Sequence, residues 1–179
     1  PAPTPTTAKS CASTIAFDFT CRQTAHASRK SMCCVFVGCV FDHVFPKVGR
    51  AASETVKASG RSAPAFRDAA CCGLPAMVSG DRRSATSSAE ANVRRLRAAD
   101  PGAIVFPCGS CLLMFRRNVV SLIPKGTPVY DDAVFVADRA VDYASFLLSS
   151  GVLDRIPDPP PGEKVGEIGY HDPCHLSGT

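Results

Sequence analysis

The stretch Cys33-Cys34-Val35-Phe36-Val37-Gly38-Cys39 decides how this chain folds. Its unbroken apolar run is short and ends on glycine, which reads as a strand buried on both faces. Strands of that kind belong to parallel sheets covered by helices, and such sheets hold ligands outside the strand carboxyl ends. Cys39 stands at that end, while Cys33 and Cys34 read as strand packing.

Working outward, the pattern predicts a helix with Pro46 near its first turn, Val48, Ala51, Ala52, Thr55 and Val56 along one face, and Gly60 stopping it. The same grammar returns after Cys71-Cys72-Gly73. Asp81 is placed to cap a helix carrying Ala85, Ala89, Val93 and Leu96 at spacings of three and four. Ala103-Ile104-Val105-Phe106 then reads as the next buried strand, with Cys108 just past its end. Leu112, Leu113, Phe115, Val119, Val120 and Leu122 predict a helix starting near Ser110, so that Cys108-Gly109-Ser110-Cys111 occupies its amino terminus. Unpaired N–H groups and the positive end of the helix dipole favour thiolate there.

Val129 is expected in a short strand. Asp131 or Asp132 should cap a further helix with Val134, Ala137, Val141, Ala144 and Leu148 inward and Gly151 beyond its end. Pro157 to Gly162 reads as a proline-rich connection, and Val165 to Tyr170 as another strand delivering His171 and Cys174 to its carboxyl end. The fold class is therefore α/β, a mainly parallel sheet flanked by helices with cysteines at the strand carboxyl ends. Residues 1–30, opening Pro1-Ala2-Pro3-Thr4-Pro5 and rich in Ser, Thr and Ala, read as a mostly irregular linker. Cys11 and Cys21 lie in it as incidental thiols.

A chain of 179 residues holds a core large enough not to need disulfides, so its ten cysteines want another explanation. With 45% hydrophobic and 20% charged residues the chain reads as globular. A net charge of +4 spread over Arg82-Arg83, Arg94-Arg95 and Arg116-Arg117 is too small and scattered for nucleic acid. No run of about eighteen apolar residues exists to span a membrane, and no secretory signal is legible. A reducing cytoplasmic compartment is expected, where clustered cysteines serve metals or catalysis more than disulfides. The abrupt Tyr170-His171-Asp172-Pro173-Cys174-His175-Leu176 near the end suggests a fragment incomplete at both ends.

Five cysteines then stand out: Cys39, thirty-one residues, Cys71 and Cys72, thirty-five residues, then Cys108 and Cys111. Each group sits beside glycine, which lets backbone approach a bound group closely. Soft thiolates select zinc, copper or iron-sulfur centres. Three readings stay open: an iron-sulfur cluster, a structural zinc, or dithiol exchange. Zinc wants four ligands, so five thiols exceed a simple site. Dithiol exchange rests on Cys108 and Cys111 alone and leaves Cys39, Cys71 and Cys72 unexplained. His171 and His175 flank Cys174, where hydrogen bonding around a site is a stronger reading than metal ligation. His43 lies four residues from Cys39 and reads equally as a solvated loop histidine.

Phe36-Val37-Gly38-Cys39, Cys71-Cys72-Gly73-Leu74-Pro75-Ala76 with Ser79-Gly80-Asp81, Cys108-Gly109-Ser110-Cys111 and Tyr170 to Leu176 together resemble the cysteine-rich CCG domain family. That family includes heterodisulfide reductase B and D subunits and the iron-sulfur subunits of glycolate oxidase, anaerobic glycerol-3-phosphate dehydrogenase and lactate-utilisation oxidases. The resemblance spans about residues 33–179. It implies that residues 31–162 form a first CCG domain and residues 163–179 open a second, with residues 1–30 a remnant of an inter-module linker.

The same resemblance implies an iron-sulfur electron-transfer subunit of an oxidoreductase. Cys39, Cys71, Cys72, Cys108 and Cys111 would share one four-iron four-sulfur cluster, non-cubane as in heterodisulfide reductase, with Cys174 an orphan ligand of the second motif. A zinc-stabilised interaction module is the alternative. Neither a G-x-G-x-x-G after a strand nor a P-loop is present. A flavin is therefore expected on a dehydrogenase partner, a quinone or disulfide as acceptor, and the whole peripheral to the inner membrane.

Overall fold

The computed structural model describes residues 32–67, 69–157, 160, 166–167, 169–171 and 173–176. The expectations for the linker, Cys11 and Cys21 lie outside these residues, as does most of the Pro157 to Gly162 connection.

Strand β1 (Cys33–Phe36) is buried along its whole length. A π-helical turn (Val40–Val44) follows it, then α1 (Pro46–Ala58) with proline at its start. Next come β2 (Ala65–Phe66), α2 (Leu74–Val78), α3 (Arg82–Ala99) and β3 (Ala103–Phe106). Helix α4 (Gly109–Leu113) runs through a π-helical stretch (Met114–Asn118) into α5 (Val119–Leu122). The described elements end with α6 (Pro128–Arg139), β4 (Ala140–Asp142), α7 (Tyr143–Ser150) and a 3-10 turn (Leu153–Arg155).

The four strands lie in the order β2-β1-β3-β4, every pair parallel. Side chains alternate across a strand, so β1 and β3 feed two cores. Cys34, Phe36, Ile104 and Phe106 pack beneath α3 through α6. Cys33, Val35, Ala103 and Val105 pack beneath α1 and α7. Helices on both faces explain why the strands read as continuous apolar runs.

Several boundaries follow the expectation. Asp81 caps α3 by accepting from the Ser84 N–H at 3.0 Å, and Ala85, Ala89, Val93 and Leu96 are buried. Gly151 ends α7 in the left-handed conformation.

Other details differ. The inward face of α1 is Gly49, Ala52, Ser53 and Val56, while Val48 is 47% exposed and Ala51 also faces outward. At Gly49 the helix lies against the segment that follows β1, where a Cβ would come within 2.6 Å of Val37 Cγ1, so the inward face runs through Gly49 instead of Val48. Val129 lies in the first turn of α6, not in a strand, because Pro128 opens a helix with a pre-set φ and cannot donate to a sheet ladder. Thr127, not Asp131 or Asp132, precedes that helix, and Asp131 sits in its first turn.

The single helix expected up to Gly151 is interrupted by β4, which Ile104, Val105 and Phe106 hold in register. Asp142 then restarts the helix, accepting from Ser145 N–H at 2.9 Å. Ala144 and Leu148 consequently face outward. Of the strand expected from Val165 to Tyr170, the described Gly166, Glu167, Gly169 and Tyr170 belong to no strand, and Tyr170 is 83% exposed. Two glycines within six residues weaken any strand there; Val165 and Ile168 lie outside the described residues.

Candidate metal centre

In the order β2-β1-β3-β4 the chain leaves β1 toward one side and reaches β3 on the other. The crevice between the carboxyl ends of β1 and β3 is therefore the topological switch point, where no crossover covers the strand ends. Gly38 and Cys39 follow β1 into it, and Cys108 follows β3. The loop after β2 brings Cys71 and Cys72. All five cysteines, Cys39, Cys71, Cys72, Cys108 and Cys111, line one cavity of about 400 Å³ there.

Each loop has a local reason for its shape. Gly38 has φ +73°, and a Cβ on it would lie 3.2 Å from the Cys111 sulfur, so only glycine lets β1 turn this close to the C-x-x-C. An Arg67–Asp42 ion pair at 3.2 Å joins the β2 loop to the turn after Cys39. Gly73 has φ +92° and lies against α3, where a Cβ would meet the Ala85 carbonyl at 2.7 Å. Cys108 stands at the cap position of α4, its carbonyl accepting from Leu112 N–H at 2.9 Å. Behind the crevice the rings of Phe36, Phe66, Phe106 and Phe115 form a cluster with neighbouring centroids 5.0 to 5.6 Å apart.

The sulfurs are electrostatically graded. The single Cys111 thiol hydrogen is shared between the Cys108 and Cys72 sulfurs, which, with burial, drives the Cys111 pKa up. The bond from Cys111 is the main reason that Cys108 falls to about 5, with the Cys111 and Ser110 backbone N–H groups assisting against burial. The same donor lowers Cys72 to about 7, with the Leu74 N–H assisting. Burial raises Cys71, and its contact with Cys39 adds to the rise. The crevice thus holds Cys108 as a thiolate at neutral pH and Cys72 titrating near it, and thiolate is the form in which sulfur binds a metal.

The remaining candidates separate clearly. Cys174 is exposed and does not line the cavity. Its neighbour His175 does, and His175 Nδ1 lies 2.9 Å from Ser110 Oγ inside the C-x-x-C. His171 and His43 are exposed. Sequence reasoning singled out neither Ser110 as a partner of His175 nor the apolar rim of Val40, Pro75 and Val78. It also passed over Asn92, which reaches the Cys71 loop from α3.

Among the described residues, no three His, Cys, Asp or Glu side chains close on one point as ligands of a single metal ion do. The thiols ring a volume instead. The lining residues that could hold a metal or a sulfur-ligated group are the five cysteines, with His175 beside them.

The cysteine-rich domain family CCG matches residues 33–116. The chain is similar to lactate utilization protein A 2 of Bacillus cereus, 29% identical over 143 residues, covering 80% of this chain and 57% of that protein. It is likewise similar to lactate utilization protein A 2 of Bacillus anthracis, 27% identical over 143 residues with the same coverage. Lactate utilization protein A of Exiguobacterium sp. is 29% identical over 146 residues, covering 80% of this chain and 56% of that protein. The chain thus spans just over half the length of the curated relatives it matches. No solved structure matches it.

Proposed function

Because residues 33–116 belong to the cysteine-rich CCG domain family, we propose that the chain is the iron-sulfur, electron-transferring part of an oxidoreductase. The likeness to lactate utilization proteins favours lactate oxidation over the glycolate, glycerol 3-phosphate and heterodisulfide reactions of other family members. The observation that carries this reading is the meeting of five thiols, from three separate segments of the chain, around one cavity at the sheet's switch point. Cys39, Cys71, Cys72, Cys108 and Cys111 would hold a four-iron four-sulfur cluster, of the non-cubane type. Such a cluster, when bound, supplies one-electron transfer.

The chain's own residues do the rest. Cys108, lowered to about 5, offers a thiolate at neutral pH, and Cys72, lowered to about 7, loses its proton readily there. Val37, Val40, Phe41, Leu74 and Val78 give the cavity an apolar lining. Low dielectric and few competing donors set the potential of a sulfur-ligated group. Electrons would come from a flavin-bearing dehydrogenase subunit and pass to a quinone or a disulfide, in a cytoplasmic complex peripheral to the membrane. Among the described residues no helix is long and apolar enough to cross one. Residues 163–179 would open a second domain of the same kind, with Cys174 as its first ligand.

Anaerobic purification tests the proposal. The expected result is brown protein with iron and acid-labile sulfide in equal amounts and a paramagnetic signal in one redox state. Colourless protein holding stoichiometric zinc overturns it in favour of a zinc-stabilised interaction module.

A further inference from the structure

Helix α3 runs beside the loop that carries the adjacent cysteines and meets it at three heights. Arg95 donates to the Arg67 carbonyl at 3.2 Å and lays its guanidinium 4.6 Å from the centre of the Phe66 ring. Asn92 Nδ2 donates to the carbonyls of Ala70 at 3.0 Å and Cys71 at 3.1 Å. Gly73 rests on Ala85. Of the three, the Asn92 contact acts on the cysteines themselves. The Ala70 carbonyl belongs to the peptide unit entering Cys71, and the Cys71 carbonyl to the unit joining Cys71 to Cys72. A peptide unit is planar, so gripping both planes sets the dihedrals between them and the directions of the attached Cβ atoms.

Asn92 is an odd residue for its position. It is fully buried, beside Ala89, Val93 and Leu96 on the inward face of α3. Its amide nitrogen has two hydrogens and both are used; turned over, the oxygen would face two carbonyls, so the orientation follows from the partners. Its Oδ1 is, among the described residues, a buried side-chain acceptor with no partner. A buried unpartnered acceptor destabilises the fold, and an apolar residue of the same size would carry no such cost. The side chain therefore serves the loop and not the core.

We infer that Asn92 is the positioning residue of the thiol centre, holding the peptide units on both sides of Cys71 so that the Cys71 and Cys72 sulfurs face the cavity. This rests on the reading of that cavity as a thiolate metal site.

The test uses the full chain without iron and cadmium(II) alone as the probe, whose thiolate charge-transfer absorption reports sulfur coordination. Asn92→Leu keeps the size and removes both donors and the orphan acceptor; Asn92→Asp keeps the shape and removes the donors. Cadmium binding is expected to weaken about tenfold in both, as the loss of two ordinary hydrogen bonds allows. The Gly73 and Leu74 amides, which donate to the Cys71 and Cys72 sulfurs, should exchange faster with solvent deuterium. Both variants should melt somewhat lower, because the Ala70 and Cys71 carbonyls lose their donors, whereas a merely structural role would lower melting and leave cadmium affinity and amide exchange alone. Wild-type cadmium affinity and amide exchange in either folded variant overturns the inference. Failure of the unsubstituted chain to bind cadmium through sulfur overturns the metal-site reading instead; amide exchange then decides the role of Asn92, acceleration supporting it and unchanged rates refuting it.

Discussion

The chain contains two adjacent cysteine pairs, Cys33-Cys34 and Cys71-Cys72, and they have opposite fates. Cys33 and Cys34 lie in β1, where alternation sends one sulfur into each of two apolar cores. Burial raises Cys33, with Arg61 opposing it, and pushes Cys34 up to about 12. Cys71 and Cys72 lie in a loop with no such alternation, and both sulfurs reach the same cavity. Cys72 falls to about 7 because Cys111 donates to it. Identical dipeptides thus become inert packing or candidate ligands according to whether the backbone is a strand or a braced turn. Chemistry follows backbone geometry here, not residue type.

The largest expected difference between the pairs is in iron. Cys111→Ser, which removes the thiol shared by Cys72 and Cys108, should abolish iron incorporation, while the double substitution of Cys33 and Cys34 by Ala leaves iron per chain unchanged. Elemental analysis of anaerobically prepared proteins checks both, and equal iron in the two proteins would break the comparison.

Reactivity comes next. In iron-free protein at pH 7, Cys108 should be alkylated by iodoacetamide far faster than Cys34, whose labelling should wait for unfolding. Linkage has opposite signs at the two sites. Cys108 is depressed from 9.0 to about 5, so its contribution to stability is full above pH 9 and disappears as pH falls to 5. Cys34 is raised from 9.0 to about 12, so its contribution is full below pH 9 and disappears as pH rises toward 12. Denaturant titrations of iron-free protein should therefore show stability rising between pH 5 and 9, and Cys108→Ser should flatten that rise.

A smaller effect separates the pairs as packing. Cys34→Ser buries an unpartnered hydroxyl and should cost about 1–3 kcal/mol, whereas Cys71→Ser, half exposed, should cost under about 1 kcal/mol. Urea unfolding of iron-free protein measures both, and equal costs would mean that the strand environment is not what distinguishes the pairs. The smallest effect concerns the helix that braces the loop. Asp81→Ala removes the α3 cap and should cost about 1 kcal/mol with iron content unchanged, which thermal melts and iron assays report together.

Much of this was legible because local physics dictates it. Cys33 to Phe36 and Ala103 to Phe106 announce buried parallel strands by unbroken apolar runs, and Asp81 announces α3 by its cap. Where expectation and structure part, packing overrode a local pattern. Val134, Ala137 and Val141 share helical spacing, yet pairing with β3 drew Ala140 to Asp142 into a strand. Two-residue β2 carries too few side chains to signal itself, and only β1 gives it form.

The cysteine spacing by itself determined which thiols are candidates, since a glycine-flanked group past a strand end is a local property of the chain. Whether they meet was decided by tertiary structure. Strand order opened the crevice between β1 and β3, and the Cys71-Cys72 loop that reaches it is hydrogen-bonded to Asn92 of α3. Tertiary structure also kept Cys174 exposed and brought His175 to the cavity instead. Residues far apart in sequence acquire neighbours only when the sheet is assembled, and a sulfur's acidity depends on those neighbours.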